Sequence, residues 1–353
     1  MARPAPFDTR ASDIAVELCG VSKVYRQRLR AAGVREVFSH LLRPRTREIH
    51  ALSGVDLVVR RGEIVAYAGP NGAGKSTTVK LLSSLLAPDG GRVRCLGLDP
   101  VRDRSRYVGR IGVVFGQRTE LWWDHPVEAS FHWKKTIWDV PEATYARNLG
   151  ALCELLGLDE LMQTTTRELS LGQRMRADLA LALLHDPELV LLDEPTLGLD
   201  VLARRRMLAF LREINAERGT TIIVTSHDMA ELEQLAGRIV MLHRGEVAFD
   251  GDFVTLRREA MRERLLEIET DADRAPQLAG ARHRSSESGR HAYAFDGGRV
   301  ALADLLAQAS EQARVLDVET HRPPIDEVVA DLYERWQGHG GATSEAATDS
   351  PDR

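Results

Sequence analysis

The chain has 353 residues, of which 43% are hydrophobic and 28% charged, with a formal net charge of −5 at pH 7. That is enough apolar material for a sizeable core, at a length that suggests two domains or one large domain with an appendage. The acidic balance excludes a globally basic nucleic-acid binder. No run approaches the roughly 18 apolar residues of a membrane-crossing helix, and MARPAPFDTR lacks the apolar core of a secretory signal, so a cytosolic chain is expected. Cys19, Cys95 and Cys153 lie far apart without metal-ligand spacing and read as reduced thiols. The histidines contain no HExxH pair, which argues against a zinc enzyme. Only Lys23, Lys75, Lys80, Lys134 and Lys135 are lysines among 47 basic residues. That bias fits a GC-rich coding sequence and makes a lysine inside a motif harder to dismiss as chance.

Ile14–Tyr25 reads as a first strand and turn. A basic interruption follows, with seven arginines between Arg26 and Arg47; its apolar residues Val34, Val37, Phe38, Leu41 and Leu42 fall at roughly helical spacing, which suits either a solvated hairpin extension or a segment lying on anionic lipid. Leu52–Val59 alternates as a half-buried strand. Arg61-Gly62-Glu63 turns into Ile64–Ala68, an apolar run that predicts a strand buried on both faces. A glycine-rich loop and the helical stretch Ser76–Leu86 come next. Ile111–Phe115, Leu189–Leu192 and Thr221–Thr225 are further strand-like runs separated by helical stretches, a pattern that predicts a parallel α/β sheet. Residues ~118–168 are helix-rich and hold Trp122, Trp123, Trp133 and Trp138, as an inserted helical subdomain would. Beyond Asp252 the texture changes: Leu265–Thr270 and Val315–Thr320 alternate, while Val300–Ala313 and Ile325–Trp336 are helical, the latter with Ile325, Val328, Val329, Leu332 and Trp336 on one face. Residues 255–336 therefore read as a small α+β domain, and residues 338–353, with almost nothing to bury, as a disordered tail.

The chemistry begins at Gly69-Pro70-Asn71-Gly72-Ala73-Gly74-Lys75-Ser76, followed by Thr77, a match to G-x-x-x-x-G-K-S/T. Successive main-chain N–H groups in such a loop wrap phosphate oxygens, and the following helix aims its positive end at the same anion. Lys75 adds a charge for the terminal phosphates and the Ser76 hydroxyl a ligand for Mg2+. Leu189–Leu192 deliver Asp193 and Glu194 to the end of a buried strand; a carboxylate there can hold Mg2+ through water, and Glu194 can orient or deprotonate an attacking water.

With those motifs in this order, residues 14–250 resemble the ATP-binding subunits of ABC transporters. Leu169-Ser170-Leu171-Gly172-Gln173 is similar to that family's LSGGQ signature, with Leu171 in place of the usual glycine. The resemblance implies a P-loop NTPase fold, an ABC ATPase domain over residues 14–252 interrupted by a basic insertion (26–50) and a helical subdomain. It implies that Tyr25 stacks on adenine, that Gln117 reaches Mg2+ and the attacking water, that Asp200 in Gly198-Leu199-Asp200 lies in a loop crossing a dimer interface, and that His227 meets the γ-phosphate. It further implies ATP and Mg2+ as ligands and a head-to-tail pair with a second ATPase subunit, whose Ser170, Leu171, Gly172 and Gln173 cap the nucleotide. Separate membrane permeases would be partners, at the cytoplasmic face of a bacterial membrane. GVVFGQRTELWWD, the insertion and the C-terminal extension look most like exporters with ABC-2-type permeases, and Gln117–Trp138 is the candidate docking surface, or equally the core of the helical subdomain. An importer ATPase, or a soluble ABC protein working on ribosomes or DNA, is the alternative; a single phosphate loop and the lack of long heptad segments count against the latter.

Overall fold

The computed structural model describes residues 13–28, 46–116, 118–260, 263–272, 274–297, 299–321 and 325–340. The chain divides into two compact units, one up to Gly251 and one from Asp252. The first contains β1 (Ile14–Arg28), β2 (Thr46–Arg60), β3 (Ile64–Ala68), α1 (Lys75–Leu82), β4 (Gly90–Cys95), α2 (Arg104–Tyr107) and β5 (Ile111–Phe115). It continues with α3 (Val127–Ile137), α4 (Glu142–Leu156), α5 (Leu171–Leu183), β6 (Leu189–Asp193), α6 (Val201–Arg218), β7 (Thr221–Thr225), α7 (Met229–Leu235), β8 (Arg238–His243) and β9 (Glu246–Gly251).

The apolar runs assemble in the order β5-β6-β7-β3-β8-β9, parallel except for β9, which pairs antiparallel with β8. Val65 to Ala68 are fully buried because β3 lies inside this sheet with layers on both faces. The early strands do not join it. They form a separate antiparallel sheet, β2-β1-β4, and the main core lies between the two: Val16 and Leu18 of β1 and Leu57 of β2 pack with Tyr67 of β3, Val79 and Leu82 of α1 and Leu191 of β6. Helix α1 is thereby fixed by its buried face and by polar bolts, since Tyr67 Oη lies 3.1 Å from Thr78 Oγ1 and Tyr107 Oη donates to Leu82 O at 2.6 Å. Strands β1 and β2 run further than the sequence pattern suggested, to Arg28 and back to Thr46, because ladder pairing continues through Arg26↔Glu48 and an Arg26–Glu48 ion pair of 3.0 Å supports it. The rest of the arginine-rich interruption, including Val34 to Leu42, lies outside the described residues.

The second unit contains α8 (Phe253–Ala260), β10 (Glu263–Thr270), β11 (Ala281–Glu287), β12 (Arg290–Asp296), α9 (Leu302–Gln312), β13 (Val315–His321) and α10 (Ile325–Gly340). Its antiparallel sheet has the order β11-β12-β10-β13, over a core of Leu266, Ile268, Tyr293, Phe295, Leu305 and Ala309. Ile325, Val328, Val329 and Leu332 are buried along one face of α10, and this helix continues to Gly340, past residue 338, where the sequence suggested that a tail begins; residues 341–353 lie outside the described residues.

One ion cluster ties the starts of three parallel strands together. Glu188, just before β6, is bridged by Arg110, just before β5, through both carboxylate oxygens, and by Arg61, just before β3, at 2.7 Å. The Arg110 hydrogen bonds, then those of Arg61, hold the Glu188 carboxyl down at about 2. A depressed carboxylate contributes stability above its unfolded value and loses it as the pH falls through its folded one. Glu188→Gln is expected to lower Tm at pH 7 and to flatten the fall in stability between pH 4.5 and about 2, as read by thermal unfolding across that window.

Candidate functional site

The buried end of β3 releases the chain into a turn that only particular residues can make. Gly74 caps α1 at φ 113°, and a Cβ there would sit 2.5 Å from Ala51 O and 2.6 Å from Leu52 Cδ2 on β2, so no larger residue fits. The Ala73 N–H donates to Pro70 O at 3.1 Å and closes the loop. Helix α1 then starts with no acidic residue in its first turn and no side-chain cap, which leaves free N–H groups and the positive end of the helix dipole for an outside anion. Lys75 is only 7% exposed, and its ammonium folds onto the carbonyls of Gly69 (2.6 Å) and Pro70 (3.3 Å). Burial lowers its pKa from the ordinary lysine value, opposed by the nearby charges of Glu194 and Asp193. The hydration lost exceeds what those two carboxylates return, so a polyanion in the cleft would repair the balance. These residues fit a nucleoside polyphosphate.

Across the cleft, β6 and β7 end in register at Asp193 and Thr225. Asp193 Oδ1 accepts from Thr225 Oγ1 at 2.8 Å and from Ser76 Oγ at 3.3 Å. A hydroxyl and a carboxylate brought together this way are hard oxygen donors, the set that suits Mg2+. The Glu194 N–H donates to Thr225 at 3.1 Å, and the backbone at Glu194 is left-handed, φ 60°. That conformation costs a residue with a Cβ about 1 kcal/mol or more. Glu194 Oε1 lies 3.1 Å from His227 Nε2, and burial raises the Glu194 carboxyl, with His227 and Lys75 pulling it back. Gly116, directly after β5, closes the arrangement: its N–H donates to Asp193 O at 2.7 Å, and a Cβ would fall 2.7 Å from Glu194 O. Gly116 carries its own sequence signal, a glycine at a strand end beside Gln117. Gln117 itself lies outside the described residues.

A cleft of about 590 Å³ gathers most of the expected residues: Tyr25, Pro70, Asn71, Gly72, Gly74, Lys75, Ser76, Thr77, Asp193, Glu194 and His227. Gly69 accepts the Lys75 hydrogen bond and Ala73 is buried behind the loop. Ile49, Lys80 and Arg118 line the cleft as well, although no sequence motif marks them. Ile49 faces Tyr25 across the β1–β2 ladder, an apolar pair that suits a planar base.

Ser170, Leu171, Gly172, Gln173 and Asp200 do not line this cleft. Ser170 caps α5 in a reciprocal box, its Oγ accepting from the Gln173 N–H at 3.2 Å while its N–H donates to Gln173 Oε1 at 2.8 Å. The exposed Leu171 packs over Gly198, where a Cβ would collide with Leu171 Cδ2. Asp200 caps α6 by accepting from the Ala203 N–H at 2.8 Å. Further along α5, Asp178 accepts from Thr119 Oγ1 (2.8 Å) and the Glu120 N–H (3.0 Å), tying that helix to the segment after Gln117.

A phosphate loop on a central strand of a parallel sheet, with acidic residues ending the neighbouring strand, defines a P-loop nucleotide-binding protein. The family model described as ABC transporter matches residues 52–197, and an AAA-domain model (putative AbiEii toxin, type IV toxin–antitoxin system) matches residues 162–233. The chain is 31% identical over 208 residues to the ABC transporter ATP-binding protein NatA of Bacillus subtilis, a match covering 59% of this chain and 84% of that one. It is 34% identical over 201 residues to the probable multidrug ABC transporter ATP-binding protein YbhF of Escherichia coli, covering 57% of this chain and 34% of that one. Among solved structures, an ATP-binding subunit of an ABC transporter superposes with a TM-score of 0.58 at 27% identity, over 69% of this chain and 92% of that one. The dimeric cassette MJ0796 bound to ADP and Pi in a post-hydrolysis state superposes with a TM-score of 0.57 at 25% identity, over 67% of this chain and 98% of that one. The chain belongs to the ATP-binding subunits of ABC transporters. Domains of this family bind and hydrolyse ATP and work as dimers with transmembrane components.

Burial pushes the Asp178 carboxyl up to about 6, against the hydrogen bonds from Thr119 and Glu120. For an acid raised in this way, stability is fullest below the ordinary value of 3.8 and is lost as the pH climbs through about 6. Asp178→Asn keeps the acceptor oxygen without the charge. The variant should therefore melt higher than the parent at neutral pH, with a flatter dependence of Tm on pH between 3.8 and about 6, as followed by circular dichroism.

Proposed function

We propose that this chain powers export across a bacterial membrane, as the ATPase partner of separate ABC-2-type permease subunits at the cytoplasmic face. The observation that carries the dimeric part of this reading is the separation between the cleft holding Lys75 and the helix start at Ser170. The Ser170 oxygen already accepts from Gln173, so its O–H is left to donate; with the Gly172 N–H and the positive end of α5 it makes an anion site that needs a second copy's phosphates. Two chains head to tail would complete two nucleotide sites, each with one subunit's Gly69–Ser76 loop and the other's Ser170–Gln173, and Asp200 beside the seam.

Within one site, Tyr25 and Ile49 take the base, the loop amides and Lys75 hold the phosphates, and Ser76, Asp193 and Gln117 hold Mg2+. That ion, when bound, offsets charge on the phosphate oxygens. Glu194 orients the attacking water and accepts its proton, helped by a carboxyl that burial makes more basic. His227, whose Nε2 lies 3.1 Å from Glu194 Oε1, faces the terminal phosphate. Hydrolysis then removes charge-assisted contacts of about 1.5–3 kcal/mol each from the shared phosphate, and the pair opens.

Export is supported by the likeness to a relative named as a probable multidrug transporter subunit. The helical segment adds an outlet for coupling: Trp122, Trp123 and Trp133 are 38%, 50% and 40% exposed, while Trp138 stacks on His185. Exposed tryptophans are strong interface anchors, and no described helix is long and apolar enough to cross a membrane. Glu194→Gln should accumulate as an ATP-bound dimer in size-exclusion chromatography with light scattering, and adding Lys75→Ala should abolish that dimer; normal turnover in Glu194→Gln would refute the role given to this carboxylate. The chain should also co-purify from membranes with a permease pair, and Trp123→Ala with Trp133→Ala should weaken that recovery while leaving basal ATP hydrolysis intact; a pair that drives uptake of its substrate would overturn export.

A further inference from the structure

His227 sits in a short connection between β7 and α7, with no ladder or helix of its own to hold it. Its two neighbours are tied into one polar cluster: Ser226 meets Glu231 directly, and Asp228 meets Ser226 and Arg204. Glu231, in the first turn of α7, is 6% exposed. Its Oε2 accepts from Ser226 Oγ at 3.2 Å and from Thr196 Oγ1 at 2.6 Å, while Oε1 lies 2.7 Å from Arg204 Nε. Arg204 also reaches Asp228 Oδ2 at 3.1 Å, and the Asp228 N–H donates to Ser226 Oγ at 3.1 Å. Residues 226 and 228 flank the imidazole; Thr196 stands two residues past Glu194. One carboxylate oxygen thus joins the segment that leaves Glu194 to the segment that enters His227. A carboxylate this buried is costly unless it is paired, and here its partners are two hydroxyls from connecting segments and the Arg204 guanidinium of α6. Neither Glu231 nor Arg204 lines the nucleotide cleft.

We propose that Glu231, neutralised by Arg204, is a positioning residue for ATP hydrolysis: it sets the separation of Glu194 and His227, and acts through His227 without touching nucleotide. This rests on the reading of Glu194 and His227 as the hydrolytic pair. Because the Arg204 N–H donates to Asp200 O at 2.9 Å in the helix that Asp200 caps, the same residue links this cluster to the turn at Gly198–Asp200.

The test is a double-mutant cycle on the full chain. Single-turnover hydrolysis of radiolabelled ATP is measured for the parent, Glu231→Gln, His227→Ala and the double variant, beside the affinity for a fluorescent ATP analogue and Tm. Glu231→Gln should lower the hydrolysis rate about tenfold or more with nucleotide affinity within about twofold, and its effect should shrink to less than about twofold once His227 is alanine. A full-sized effect in the His227→Ala background, a parallel loss of nucleotide affinity, or a parental rate in Glu231→Gln would each overturn the proposal. If Glu231→Gln does not fold, Arg204→Gln, on a side chain 34% exposed, carries the same cycle with the same outcomes. A His227→Ala variant that hydrolyses at the parental rate would instead remove the underlying reading of the pair, whereas an impaired His227→Ala beside unimpaired Glu231 variants removes the positioning role alone.

Discussion

The Lys75 ammonium, packed against the carbonyl oxygens of Gly69 and Pro70 at the uncapped start of α1, sets the terms for the rest of the first unit. A buried cation and a row of free amides are both unfavourable alone, and both become favourable around the same polyanion. Holding them in place demands rigid supports. Helix α1 lies in the core between two sheets, and the absence of a side chain at Gly74 lets its first turn press against β2. The stability of the hydrophobic layers is thus what keeps an electrostatically unfavourable surface open.

The opposite wall obeys the same economy of contacts. Parallel register delivers Asp193 and Thr225 side by side, and Gly116 gives the strand end the close approach it needs. From there the chain leaves regular structure, so side chains take over from the ladder. The Ser226–Glu231–Thr196 hydrogen bonds and the Arg204 ion pairs are substitutes for backbone pairing at the point where the sheet stops.

Much of this was legible in the letters because backbone-binding sites impose strict spacing. The run Gly69–Ser76 can be read alone, since each glycine and the lysine answer to one phosphate geometry, and the apolar runs at Ile64, Leu189 and Thr221 betray strands buried on both faces. What escaped was set by pairing across distance. The sheet β2-β1-β4 has no local signature that separates it from the parallel one. Strand β11, ARHRSSE, lacks the alternation of a strand because it is a sheet edge with exposed side chains. Ile49, Lys80 and Arg118 reach the cleft only through the fold, and Glu231 and Arg204 are ordinary helix residues until the folded chain places them within hydrogen-bond distance.

The left-handed backbone at Glu194 has an evolutionary corollary. Replacement by glycine or asparagine, which tolerate that twist, relieves a local penalty at the moment it deletes the carboxylate. Broken alleles at this codon would accumulate in cells as abundant, well-folded polypeptide. Surveys that score variants by how much protein survives would class them as harmless, and only a measurement of work done would expose them.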